Sequence, residues 1–307
     1  MGPLRSPGMS QPIPFDIVLP FVLGPVVLAL MWLPRWRKRP AHGAEAGFCF
    51  VLIITFIFSF VLQEGVPTWP LGARWHAVPV LLTGVSLVSW AWFRPRRATD
   101  ASRPVALDPL CPADRVSLLR GLLFALFCGA MSTVVVRLPG HDTWSWRLGL
   151  GFIVCLLATS LLSTAVQKRG AAIPLSLAGV LATLSALLLI SHFAKLAIII
   201  GCVAWLCAIA GVIAWLVPHF TVGSPGAVTL ATLIPTVALT GYSYDYDTFS
   251  PYCWILVSSS VFMLWVGRIG SVRRRSPRLR GVIQTLAVLA PCAVALAIAL
   301  WPIPMPA

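Results

Sequence analysis

The sequence predicts an all-α, polytopic membrane helix bundle of about ten transmembrane helices, and three observations carry that prediction. Of 307 residues, 58% are hydrophobic and 10% are charged, a balance outside the range of soluble globular domains. Apolar runs recur along the whole length, and the basic residues between them alternate between dense and sparse. No connection is long enough to hold a soluble domain, so residues 1–307 read as a single integral membrane domain.

Each crossing needs about 20 mostly apolar residues to span roughly 30 Å of hydrocarbon. The first segment, Phe15–Leu33, is preceded only by Arg5 and followed by Arg35, Arg37, Lys38 and Arg39. No small-x-small cleavage site precedes it, so it reads as an uncleaved anchor. Ala46–Leu62 returns from that basic loop. Ala77–Phe93 is short and needs Trp75, Trp90, Trp92 and Arg94 as interfacial turns. Residues 94–117 form the longest connection, punctuated by Pro95, Pro109 and Pro112, and lead into Leu118–Val136. Leu148–Val166 follows Trp144 and Trp146, two indoles placed for a head-group belt.

Ile173–Ile190 and Ala194–Val217 are separated only by Ser191, His192 and Phe193, which predicts a tight antiparallel hairpin. Ala227–Tyr242 is the weakest segment, because Pro235 interrupts it. Parity requires it nonetheless: the basic loops at Lys168 and after Arg268 belong on one side, so an even number of spans lies between them. Tyr252–Val266 and Val282–Trp301 complete the ten. Five plus five spans, dividing near residue 170, would give two halves of opposite orientation.

Orientation follows from where Lys and Arg collect. One face holds 18 of the 23 basic residues against four acids, a net of +14, whereas the other holds five of each and is neutral. The basic face is therefore cytoplasmic, both termini lie outside, and the compact Arg-rich turns fit a bacterial inner membrane. The partner implied by that face is the bilayer itself, through anionic lipid head groups, with other membrane proteins as further partners and no nucleic acid.

Six of the eight cysteines, Cys49, Cys128, Cys155, Cys202, Cys207 and Cys292, fall inside spans, Cys111 is cytoplasmic, and only Cys253 is near the outer face. They read as small packing residues rather than a disulfide framework. No two histidines have helical ligand spacing, and no motif implies a metal or a cofactor. No acidic, basic or His side chain is placed between the interfaces, which disfavours proton-relay transport. Asp16, Arg120, Arg147 and Lys195 lie within about a turn of a span end and read as snorkelling anchors.

Hydroxyls are the polar resource that remains. Thr229, Thr232, Thr236 and Thr240 follow in steps of three, four and four, which places them on one helix face beside Pro235. A bent span with such a stripe is suited to line a solute path, and equally to make interhelical hydrogen bonds. The outer loop after that span holds all four tyrosines of the chain, and Tyr244, Asp245, Tyr246 and Asp247 form its core. Alternating Tyr and Asp suit a cation, a cationic ligand or a sugar, or a cap on the bundle.

Three functional expectations follow. A permease-like protein for a neutral, zwitterionic or lipid-like solute would use Thr229, Thr232, Pro235, Thr236 and Thr240 as its path. A non-catalytic membrane subunit or assembly scaffold would use the same hydroxyls for packing. A lipid-modifying enzyme would use Asp245, Asp247 or His141 with Asp142 as acid/base pairs at the outer interface.

Overall fold

The computed structural model describes residues 15–32, 43–66, 74–93, 112–137, 143–165, 171–216, 220, 222–244 and 250–301. These residues form helices, with no strand among them. In chain order they are α1 (Phe15–Trp32), α2 (Gly43–Glu64), α3 (Ala77–Trp92), α4 (Pro112–Val135), α5 (Trp144–Ala165), α6 (Ala172–Ile190), α7 (Ala194–Leu216), α8 (Gly223–Tyr244), α9 (Pro251–Ser260) and α10 (Pro277–Leu300). A 3₁₀ turn, Arg74–His76, leads into α3, and a single helical turn, Gly270–Arg273, precedes α10. Every apolar segment read from the sequence thus contains a helix.

Six helices, α2, α5, α6, α7, α8 and α10, are long and apolar enough to cross a membrane, so the chain is a helical membrane protein. The apolar stretches of α1, α3 and α4 are shorter. Helices are the form that hydrocarbon imposes, since each backbone N–H and C=O must find its partner within the segment.

Helix ends differ from the sequence expectation where local capping is strong. Residues 112–117, read as connector, already belong to α4, because Pro112 has no N–H to lose at the first helical position. Ser250 and Ser276 cap α9 and α10: each side chain accepts from a backbone N–H of the first turn at 3.4 Å, and a Pro follows each at N1. The ninth segment is not one α-helix. It continues from Ser260 as a 3₁₀ stretch, Val261–Arg268, long for that geometry. Gln284 of α10, fully buried, donates its amide to the Leu264 carbonyl at 2.7 Å and so satisfies an acceptor within the distorted turn.

The α6–α7 hairpin is as tight as expected, and its closure is specific. Phe193 N–H bonds the Leu188 carbonyl at 2.9 Å and His192 N–H bonds Leu189 at 3.1 Å, the two bonds of a Schellman cap. His192 occupies the left-handed position with φ 60°, where glycine is the usual residue. Small residues bring other helices together: a Cβ on Gly129 of α4 would lie 2.5 Å from the Gly151 carbonyl of α5. That approach is open only to glycine.

Helix α8 forms the axis. Of its apolar window 89% is buried, against 22% for α10, and it packs against α2, α3, α4, α5, α6 and α9. Pro235 does not interrupt it, contrary to the sequence expectation: the helix runs unbroken from Gly223 to Tyr244. A Pro within a membrane helix is tolerated where surrounding helices shield the backbone, as six do here.

Candidate functional site

Two polar features stand out, one along α8 and one beside its C-terminal end. The first is the threonine stripe. Thr229, Thr232 and Thr236 are fully buried and Thr240 nearly so. Thr229 donates to the Pro225 carbonyl at 2.9 Å, Thr232 to Val228 at 3.0 Å and Thr240 to Thr236 at 2.7 Å, the back-bonding expected of hydroxyls inside a helix. With its one proton committed to Pro225, Thr229 accepts from Ser86 of α3 at 2.9 Å, while Cys49 of α2 lies 3.6 Å away. The lower part of the stripe therefore sits against α2 and α3.

Thr236 differs from the other three. Its hydroxyl is buried and has no hydrogen-bond partner. The preceding residue is Pro235, which carries no N–H to donate to the Ala231 carbonyl one turn back. Among the described residues, two other buried hydroxyls share this condition, Thr55 of α2 and Ser160 of α5. Such groups are costly in an apolar interior, at about 1 to 3 kcal/mol each.

An open groove of about 420 Å³ lies elsewhere, between α1, α6 and α7, lined by Phe21, Ala178, Ala182, Ser185, Gly201 and Trp205. No α8 residue reaches it. Trp205, halfway along α7, is about half exposed on this face.

The second feature is a charged and aromatic cluster where α2 ends, α3 and α7 begin and α8 ends. Glu64 Oε1 takes an ion pair from Lys195 Nζ at 2.8 Å, and Glu64 Oε2 lies 3.4 Å from His76 Nε2. The Glu64 and His76 side chains are only 16% and 14% exposed, whereas Lys195 is 57% exposed. Phe60, one turn before Glu64, meets Trp75 at 5.0 Å and His76 at 5.4 Å between ring centroids. Trp75 in turn meets Phe193 at 5.4 Å, and Phe193 meets Tyr244 at 4.8 Å. His76 Nδ1 is buried without a partner. One nitrogen of the ring is thus held by Glu64 and the other enclosed, so neither is available as a base toward solvent.

Of the residues singled out in the sequence, the fold gathers Thr229, Thr232, Pro235, Thr236 and Thr240 on its axis and puts Tyr244 beside Phe193. Asp245, Tyr246 and Asp247 lie outside the described residues, as do His141, Asp142 and Cys111. Among the described residues, no group of three or more His, Cys, Asp or Glu side chains is placed to hold a metal.

The sequence places Glu64 and His76 among outer polar groups able to converge, but does not bring Lys195 to them. Lys195 reads locally as a snorkelling anchor; in the fold it turns to a carboxylate at the end of another helix. The available signal was Lys195 two residues after the Ser191–Phe193 turn, where the hairpin holds the start of α7 in place. No protein-family model matches the chain, and no curated protein compared with it does so either.

Proposed function

We propose that the chain is a permease-like protein of a bacterial inner membrane, for a neutral, zwitterionic or lipid-like solute, with α8 as the element that opens. In this reading all ten helices cross, both termini face outward, and the Arg-rich turns rest on anionic lipid head groups at the cytoplasmic side. The shorter apolar stretches of α1, α3 and α4 are accommodated by local thinning of the bilayer, with Trp90 and Trp92 at the end of α3 as interfacial anchors.

The observation that carries the reading is the unpartnered Thr236 hydroxyl beside Pro235 at the centre of the buried axis. A polar group in that position calls for a partner from water or solute. Enclosure of the whole stripe corresponds to a closed state, and the Pro supplies a point at which α8 bends. The absence of charge along the stripe suits solutes without net charge.

A second reading, a non-catalytic membrane subunit or scaffold, draws support from Thr229, Thr232 and Thr240, whose hydroxyls are already bonded within their own helix. One experiment separates the two. With all eight native cysteines replaced by Ala, Thr236→Cys is exposed in proteoliposomes to a small water-soluble methanethiosulfonate reagent. The permease reading expects time-dependent modification as α8 opens, and expects Thr232→Val with Thr236→Val to slow it at a neighbouring reporter, Thr240→Cys. Complete protection of Thr236→Cys and Thr240→Cys in folded protein leaves the scaffold reading and removes the first.

A further inference from the structure

We infer that the Glu64–Lys195–His76 cluster is a binding site for a zwitterionic group, one that carries an ammonium and a phosphate or carboxylate a few bonds apart. The inference goes beyond the proposed permeation and does not require α8 to open, because the site sits at the mouth of the bundle and not along its axis.

The geometry separates a fixed charge from a movable one. Glu64 is largely buried at the end of α2, and one of its oxygens lies within reach of His76, whose ring is boxed by Phe60 and Trp75. Its other oxygen meets Lys195, a flexible side chain that is more than half exposed. Lys195 spends one of its three donors on Glu64. The ammonium can therefore swing aside while the carboxylate stays.

What enters must replace what leaves. A lone anion drawn to Lys195 would take the cation from a carboxylate that is 16% exposed, which is unfavourable for a charge so poorly solvated. A lone cation at Glu64 competes with a tethered ammonium and is repelled by it. A zwitterion avoids both penalties: its ammonium takes the place of Lys195 on Glu64, and its anion keeps Lys195 close by as a charge-assisted donor. Tyr244, 42% exposed and in ring contact with Phe193, offers an aromatic face to the carbons next to the ligand's ammonium. Phe193 and Lys195 are held in place by the Schellman cap at His192, whose positive φ is tolerated at that one point of the hairpin. His76 acts as a positioning residue for Glu64.

The same chemistry is offered by a phosphatidylethanolamine head group and by a free solute such as an amino acid, and the test has an arm for each. Full-length protein in nanodiscs of phosphatidylglycerol is titrated calorimetrically with glycerophosphoethanolamine, glycine, ethanolamine and glycerol phosphate. In a second set of nanodiscs containing phosphatidylethanolamine, retained lipid is counted by native mass spectrometry. The expected result is one saturable site for a zwitterion, soluble or lipid-borne, with ethanolamine and glycerol phosphate weaker by about tenfold or more. Soluble binding identifies a free solute as the source; retained phosphatidylethanolamine without soluble binding identifies the lipid.

Glu64→Gln and Lys195→Met are each expected to weaken binding by about tenfold or more. The double variant Glu64→Gln with Lys195→Gln keeps a neutral hydrogen bond across the same gap, so it reports on binding where a single variant fails to fold. If that double variant melts with the wild type and still binds the zwitterion, the inference is overturned. It is equally overturned if no zwitterion binds the wild type in either format, or if ethanolamine or glycerol phosphate binds as well.

Discussion

At the scale of single residues, the informative positions are those where a side chain is held against its ordinary preference. His192 is the only non-glycine residue with positive φ among the described residues, and it closes the α6–α7 turn. An L-residue in that region costs about 1 to 2 kcal/mol. His192→Gly is therefore expected to raise the stability of the protein in detergent by about 1 kcal/mol, read as a higher midpoint of thermal unfolding. A lower midpoint would mean that the imidazole makes a contact the turn depends on. Thr236 is the polar counterpart: its hydroxyl is buried unpaired, a condition that packing alone does not favour. Lys195 shows how little a residue's own neighbourhood says about its role, since it looks like a span-end anchor until Glu64 is in view.

At the scale of elements, the bundle is assembled where side chains are missing as much as where they interlock. Gly129 and Gly151 let α4 and α5 approach until backbone meets backbone, and a Cβ at Gly151 would also strike the Thr133 side chain. Gly84, inside α3, has nothing within 4 Å of where its Cβ would be. The two positions should therefore respond in opposite directions. Gly129→Ala is expected to destabilise by about 1 to 3 kcal/mol through overpacking. Gly84→Ala should be neutral or stabilising by up to about 1 kcal/mol, because only backbone entropy changes there. Unfolding of both variants by SDS titration in mixed micelles checks the pair, and equal losses would contradict the close approach of α4 and α5. The 3₁₀ continuation of α9 follows the same logic from the polar side, with Gln284 reaching across from α10 to the Leu264 carbonyl.

At the scale of the whole molecule, one helix is enclosed by six others and the rest pack outside these. Helix α8 has modest hydropathy for a span, with Gly, Pro and Thr in place of longer apolar side chains. Those small residues are what allow six neighbours to reach it. The outer helices turn large apolar side chains outward, among them Leu30, Val134, Phe152 and Leu286, as a lipid-facing surface requires. The proposed orientation makes a prediction at this scale. Alkaline phosphatase fused after residue 140 or 247 is expected to be active, and a fluorescent protein that folds only in the cytoplasm should light after residue 110 or 275. The reverse pattern at any one of these junctions would break the alternation and remove a span from the count.

The sequence by itself determined that this is a helical membrane protein and where its helices run. Hydrocarbon forces backbone hydrogen bonds to close within each segment, so length and apolarity are decided locally, as in α6 and α7, whose bounds the pattern foresaw to within a residue or so. Local signals also placed the four threonines on one face of α8, because a 3.6-residue period is a property of the helix alone. The tertiary structure decided that α8 lies at the axis, that its helix runs through Pro235, and that the stripe faces other helices along much of its length. It also brought Glu64, His76 and Lys195 together. Such pairings depend on which helices pack side by side, a choice made by the fit of glycines, rings and methyl groups across segments far apart in the chain, and no single segment carries that information.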